Sequence, residues 1–123
     1  MPIRLLVAVV DDDESVRESL PVFLRECGFE VKAFASAEEF LASESLDEIA
    51  CLILDVAMPD MTGPELLLEL NRRGRKIPTI FITGDGDKTI RQRLLDQGAV
   101  ECLFKPFDDT ALLEALDIAL HGS

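Results

Sequence analysis

The chain has 123 residues, with 24 acidic against 12 basic side chains and a formal charge of −12. That length suits one domain able to bury roughly two-thirds of its surface, and 48% apolar residues are enough for a real core, which excludes a disordered chain. The acidic balance argues against direct contact with nucleic acid, which needs clustered Lys and Arg. No apolar stretch approaches the ~20 residues of a membrane helix.

Taken in chain order, "IRLLVAVV" (3–10) is a continuous Val-rich run, the pattern of a strand buried on both faces. The opening "MPIRLLVAVVDDD" is not a signal peptide, because its short apolar run lacks a small-residue cleavage site and ends in acids. A helix follows over about 14–27, with Val16, Leu20, Phe23, Leu24 and Cys27 on one stripe and Gly28 closing it. Pro21 lies inside this stripe and is expected to kink the helix. "FEVKAF" (29–34) alternates as a half-exposed strand does, and "SAEEFLAS" opens a short helix with a Ser36/Glu39 capping pattern.

"ACLIL" (50–54) reads as another buried strand, ending at Asp55. Beyond the loop "DVAMPDMTG", "PELLLELNRRG" starts with Pro at the first helical position and stops at Gly74. "PTIFIT" (78–83) is a strand; a polar helix spans about 86–97, amphipathic through Ile90 and Leu94. "VECLF" (100–104) is the fifth strand, and a last helix covers about 108–120 with Ala111, Leu112, Ala115, Leu116 and Ala119 on its stripe. Strict alternation of five strands and five helices predicts right-handed crossovers and one doubly wound parallel sheet in a single domain.

Ligands of an open parallel sheet bind beyond the carboxyl ends of its strands. Those ends carry Asp11–Asp12–Asp13, Asp55, Thr83–Gly84 and Lys105–Pro106. Paired carboxylates suit Mg²⁺, which takes one or two of them together with phosphate oxygens and waters. Lys105 and Thr83 would donate to phosphate oxygens, and Asp55 is the natural nucleophile, so the set is a phosphoryl-transfer kit. Asp13 reads instead as a helix-start acid and Asp60 as a turn residue, with Gly63 serving the same turn. Three cysteines, Cys27, Cys51 and Cys102, lack metal-ligand spacing and read as reduced, mostly buried thiols of a cytoplasmic protein. With His121 as the single histidine, chemistry built on histidine is poorly supported.

With "VVDD", "LILDVAMPDMTG", "ITG" and "FKPF" in this order and spacing, nearly the whole chain resembles a response-regulator receiver domain. "IPTIFITGDGD" and "GAVECLFKPFDDTALLEAL" are most similar to receivers that precede a LuxR-type helix-turn-helix effector. The resemblance implies a flavodoxin-like strand order 2-1-3-4-5, with residues 1–123 forming the receiver and no effector domain in this chain. It implies that Asp55 takes a phosphoryl group from a histidine kinase or phosphotransfer protein. Asp12, Asp55 and the backbone carbonyl of Ala57 would bind Mg²⁺, with Asp11 acting through a metal-bound water. Lys105, in a cis bond to Pro106, would pair with phosphoryl oxygens, while Thr83 and the Gly84 N–H report the phosphate. The face over 83–107 would then shift, controlling an output domain or partner, expected to be one of transcription, or a phosphorylation-dependent homodimer.

Two departures from the family pattern stand out. Cys102 occupies the switch position three residues before the lysine where receivers carry Phe or Tyr, which leaves a non-switching interaction module as the alternative. Ala57 and Asp85 fall where the family tunes loss of the phosphate. Ala57 also argues against an Asp-nucleophile phosphatase, which wants a second acid there. Lys88, Arg91 and Arg93 form a basic cluster on one helix of an acidic chain. Its default is a solvated face, with contact to acidic groups left open.

Overall fold

The computed structural model describes residues 4–84 and 88–122. Leu6–Val10 (β1) and Ile49–Asp55 (β3) form the centre of a five-stranded parallel sheet. Glu30–Phe34 (β2) lies outside β1, while Thr79–Thr83 (β4) and Glu101–Phe104 (β5) extend the other side, giving the order β2-β1-β3-β4-β5. Five helices connect and cover these strands: Glu14–Glu26 (α1), Ala37–Leu41 (α2), Gly63–Arg72 (α3), Lys88–Asp96 (α4) and Asp109–His121 (α5). The predicted alternation and strand order are both present.

The continuous apolar runs separate into two cores because successive strand side chains point to opposite faces. Val7, Val9, Cys51, Ile53, Ile80 and Ile82 pack with Leu20 and Leu24 of α1 and with Leu112, Ala115 and Leu116 of α5. Ala8, Val10, Leu52, Leu54, Phe81 and Cys102 pack on the other face with Phe40 of α2, with Leu66 and Leu70 of α3, and with Leu94 of α4. Full burial of one such Leu, Ile or Phe contributes about 1.5–3 kcal/mol. The edge strand β2 buries only Val31 and Phe34, which are three residues apart and enter opposite cores, so the alternation read from the sequence does not hold; as an edge strand β2 covers neither face fully.

Several local readings change. Ile3 lies outside the described residues, and Arg4 and Leu5 precede β1, exposed. α1 continues as a helix through Pro21, which is buried like Leu20 and Leu24. Cys27 is exposed, because it caps α1 beyond the stripe that reaches the core; Cys51 and Cys102 are buried. A short 3₁₀ turn, Leu46–Glu48, leads into β3 and carries no periodic signal in so few residues. The α4 helix begins at Lys88, and positions 86 and 87 of its predicted span lie outside the described residues.

Candidate functional site

The site forms where β1, β3, β4 and β5 end on the same rim. Asp11 directly follows β1 and is fully buried. Its N–H donates to the Phe34 carbonyl (3.1 Å), and its Oδ1 accepts from the Asp13 N–H (2.9 Å). Arg17, one turn into α1, donates from Nη1 to the Asp11 carbonyl at 3.0 Å, fixing the β1–α1 loop. The sequence reading missed Arg17, since nothing in its spacing separates it from a solvated helix cation. Asp13 is the N-cap of α1, accepting from the Ser15 N–H (2.9 Å) and hydroxyl (2.8 Å). Those bonds hold its carboxyl below the usual range, and it stands outside the trio of Asp11, Asp12 and Asp55.

Asp55 ends β3 with 6% of its surface exposed. One carboxylate oxygen each from Asp11, Asp12 and Asp55 lies within 4.8 Å of the others. Asp12 is exposed, so the trio opens to solvent on that side. Burial, and then the Asp11 carboxylate, push the Asp55 carboxyl up to about 7, opposed by the Lys105 ammonium. Lys105 comes from the far end of the chain, its Nζ 3.3 Å from Asp11 Oδ2. Two buried like charges at this separation repel by about 3–4 kcal/mol at an effective dielectric constant of ~20. Lys105 alone cannot balance three carboxylates. Three hard oxygen donors with one side open to solvent form a set that can hold a divalent cation.

The residues expected to face a phosphate lie on the same rim. Thr83 is buried at the end of β4, and its carbonyl accepts from the Lys105 N–H at 2.8 Å. The Lys105–Pro106 peptide is cis. Gly84 is exposed immediately beyond Thr83, and Ala57 is exposed in the β3–α3 loop two residues after Asp55. Asp85 lies outside the described residues.

Gly63 sits deeper than a turn glycine needs to. A Cβ at this position would lie 2.2 Å from the Asp55 carbonyl oxygen, while its N–H donates to the Val56 carbonyl at 3.0 Å. Asp60, by contrast, adopts φ 67°, the left-handed conformation of a turn residue, and takes no part in the acidic trio.

Cys102 is buried in β5 opposite Phe81, and burial pushes its thiol up to about 11, so it is not a reactive thiolate. The aromatic neighbour of Thr83 is a different residue. Phe104 is the register partner of Thr83 and packs, half-buried, against the same core as Cys102. In the basic cluster, Arg91 makes a two-pronged ion pair with Glu101 (2.8 and 3.1 Å), which ties α4 to β5. Arg93 is exposed.

Residues 7–117 match the response regulator receiver domain family. The chain is a response-regulator receiver domain. This receiver is 46% identical over 113 residues to Nodulation protein W of Bradyrhizobium diazoefficiens, a match covering 92% of this chain and 50% of that protein. It is 44% identical over 124 residues to the transcriptional regulatory protein FixJ of Azorhizobium caulinodans, covering 100% of this chain and 58% of FixJ. The crystal structure of FixJ-N superposes with a TM-score of 0.86 at 41% identity, covering 100% of this chain and 98% of that one. The receiver spans about half the length of the curated relatives it matches. Receivers are regulatory domains, and this one has no helix among its described residues long and apolar enough to cross a membrane.

Proposed function

We propose that Asp55 accepts a phosphoryl group from the phosphohistidine of a histidine kinase or phosphotransfer protein. The observation that carries this reading is the convergence of Asp11, Asp12 and Asp55 within 4.8 Å, with Lys105 joined to Asp11. An Asp55 oxygen attacks phosphorus, the P–N bond breaks, and the imidazole leaves with the bonding pair and is then protonated by solvent. Asp12, Asp55 and the Ala57 carbonyl, with Asp11 close by, would hold Mg²⁺, which would supply positive charge against the transferring oxygens. Lys105 pairs with a phosphoryl oxygen, and Thr83 and the Gly84 N–H donate to the others. Catalysis by the domain is confined to gaining and losing its own phosphoryl group.

The output follows from where these donors are anchored. Thr83 ends β4 and Lys105 directly follows β5, so their movement toward the phosphate shifts the 83–107 face between two populations. That face would meet an output domain, a partner protein or a second receiver. The likeness to FixJ, a transcriptional regulatory protein, supports a transcriptional output and a cytoplasmic setting. The domain itself, at −12, would leave nucleic acid to another part of the protein.

Relief of carboxylate repulsion gives the first test. At neutral pH, Mg²⁺ at ten times its dissociation constant should stabilise the fold by about 1.4 kcal/mol and raise the melting temperature by ~5 °C over EDTA. Superimposable melting curves would remove the cation from the site.

The buried, small Cys102 favours a second reading, a receiver that binds its partner without switching. Isothermal titration of the partner with and without beryllofluoride separates the two. A switch should change the affinity about tenfold or more, a coupling of ~1.4 kcal/mol; equal affinities would establish the non-switching module.

A further inference from the structure

We infer that the end of the sheet opposite Asp55 carries an anion site for a ligand bearing two or more linked phosphates. A cleft of about 340 Å³ opens there among the start of β1, the end of α1 and β2, and Arg4, Arg25 and Lys32 line it. A single carboxylate, Glu30, faces the same cleft. None of these three makes an ion pair among the described residues, not even with Glu30.

Two of the three heads are held by neutral acceptors. Arg25 Nη2 donates to the Val31 carbonyl at 3.2 Å, and Lys32 Nζ donates to the Ser45 hydroxyl. These bonds fix the side chains and leave their charges uncompensated, so less ordering remains to be done on binding. A guanidinium fork and an ammonium both suit phosphate oxygens, which Arg engages in pairs and Lys as a point charge. Three cations against one carboxylate leave an excess of two charges, which one diphosphate group can neutralise. The volume falls near the lower end of small-ligand sites. Leu6, Phe29 and Val31 also line the cleft, and apolar contact with them would favour a nucleotide over a free polyphosphate. The five residues of β1 set this cleft roughly 16 Å from Asp11, so its ligand does not compete with phosphoryl transfer.

Amide NMR titrations of the whole chain, in EDTA and at fixed ionic strength, test the site with pyrophosphate, ADP, adenosine and sulfate. Saturable shifts at Leu6, Phe29, Val31 and Lys32 are expected with pyrophosphate and ADP, at dissociation constants below about 1 mM. Tighter binding of ADP than of pyrophosphate assigns a nucleotide; equal binding assigns a free polyphosphate. Arg4→Gln and Lys32→Gln should each weaken the complex about tenfold, and neither removes the Arg25 bond to Val31. Shifts that never saturate, that sulfate reproduces, that adenosine alone produces, or that survive both substitutions would overturn the site.

Discussion

An Asp55→Asn variant is expected to take up no phosphoryl group from a phosphorylated kinase or a small phosphodonor, and to melt higher than the parent without Mg²⁺. The first effect is loss of the nucleophile. An amide oxygen is a poor nucleophile, and Asp11 and Asp12 are held by the β1–α1 loop rather than at the end of β3. The second effect has the opposite sign and comes from the same residue. Asp55 is almost wholly buried beside the fully buried Asp11, and its ionised form is disfavoured by burial first and by that neighbour second. A neutral side chain of the same shape removes both costs. The metal-free protein should gain on the order of 1–2 kcal/mol at neutral pH, or ~4–8 °C. The Mg²⁺-dependent rise should shrink with the loss of a ligand. Labelling measured beside melting curves separates the chemistry from folding, because an unlabelled but more stable variant cannot have failed by unfolding. Persistent labelling would move the phosphoacceptor elsewhere.

Much of this arrangement was legible because separate signals agreed. Unbroken apolar runs such as "LVAVV" and "CLIL" can only be strands covered on both faces, and the helices between them force a parallel sheet. A parallel sheet in turn brings its carboxyl ends together, so Asp11, Asp12, Asp55, Thr83 and Lys105 could be placed on one rim from order alone. What remained hidden depends on distances no periodicity encodes. Arg17 is an ordinary α1 cation until its guanidinium is seen on the Asp11 carbonyl. Phe104 adjoins Cys102 on the same strand, two positions on, yet only the β4–β5 register shows that it pairs with Thr83. Helical spacing brought Cys27 into the core stripe of α1, whereas the helix ends before it and leaves it in solvent. The Arg25–Val31 bond joins two elements whose approach is set by packing of α1 on β2, again invisible along the chain.

Gly63 shows most sharply how far a residue's reason can differ from its apparent one. Its place before Pro64 in "MTGPE" suggests a turn, but it opens α3, with Thr62 as N-cap and Glu65 returning to the Thr62 N–H. The helix start lies so near β3 that a methyl group would sit 2.2 Å from the Asp55 carbonyl oxygen and 3.0 Å from Phe81 Cε1. The Phe81 contact is with a side chain that can give way slightly. The Asp55 contact is with backbone in the central strand of the sheet, which cannot move without disturbing its hydrogen bonds to both neighbours. A Gly63→Ala substitution should therefore push α3 off the sheet and weaken the Gly63 N–H bond to Val56. The expected cost is about 2–3 kcal/mol, near the upper end for overpacking, or ~8–12 °C in melting temperature. Because the displaced group carries the Asp55 side chain, the Mg²⁺-dependent rise should shrink as well. Adding Phe81→Leu would relieve only the side-chain contact and should leave most of the loss in place. Full recovery in the double variant would show that the aromatic ring, rather than the Asp55 backbone, is what requires a glycine here.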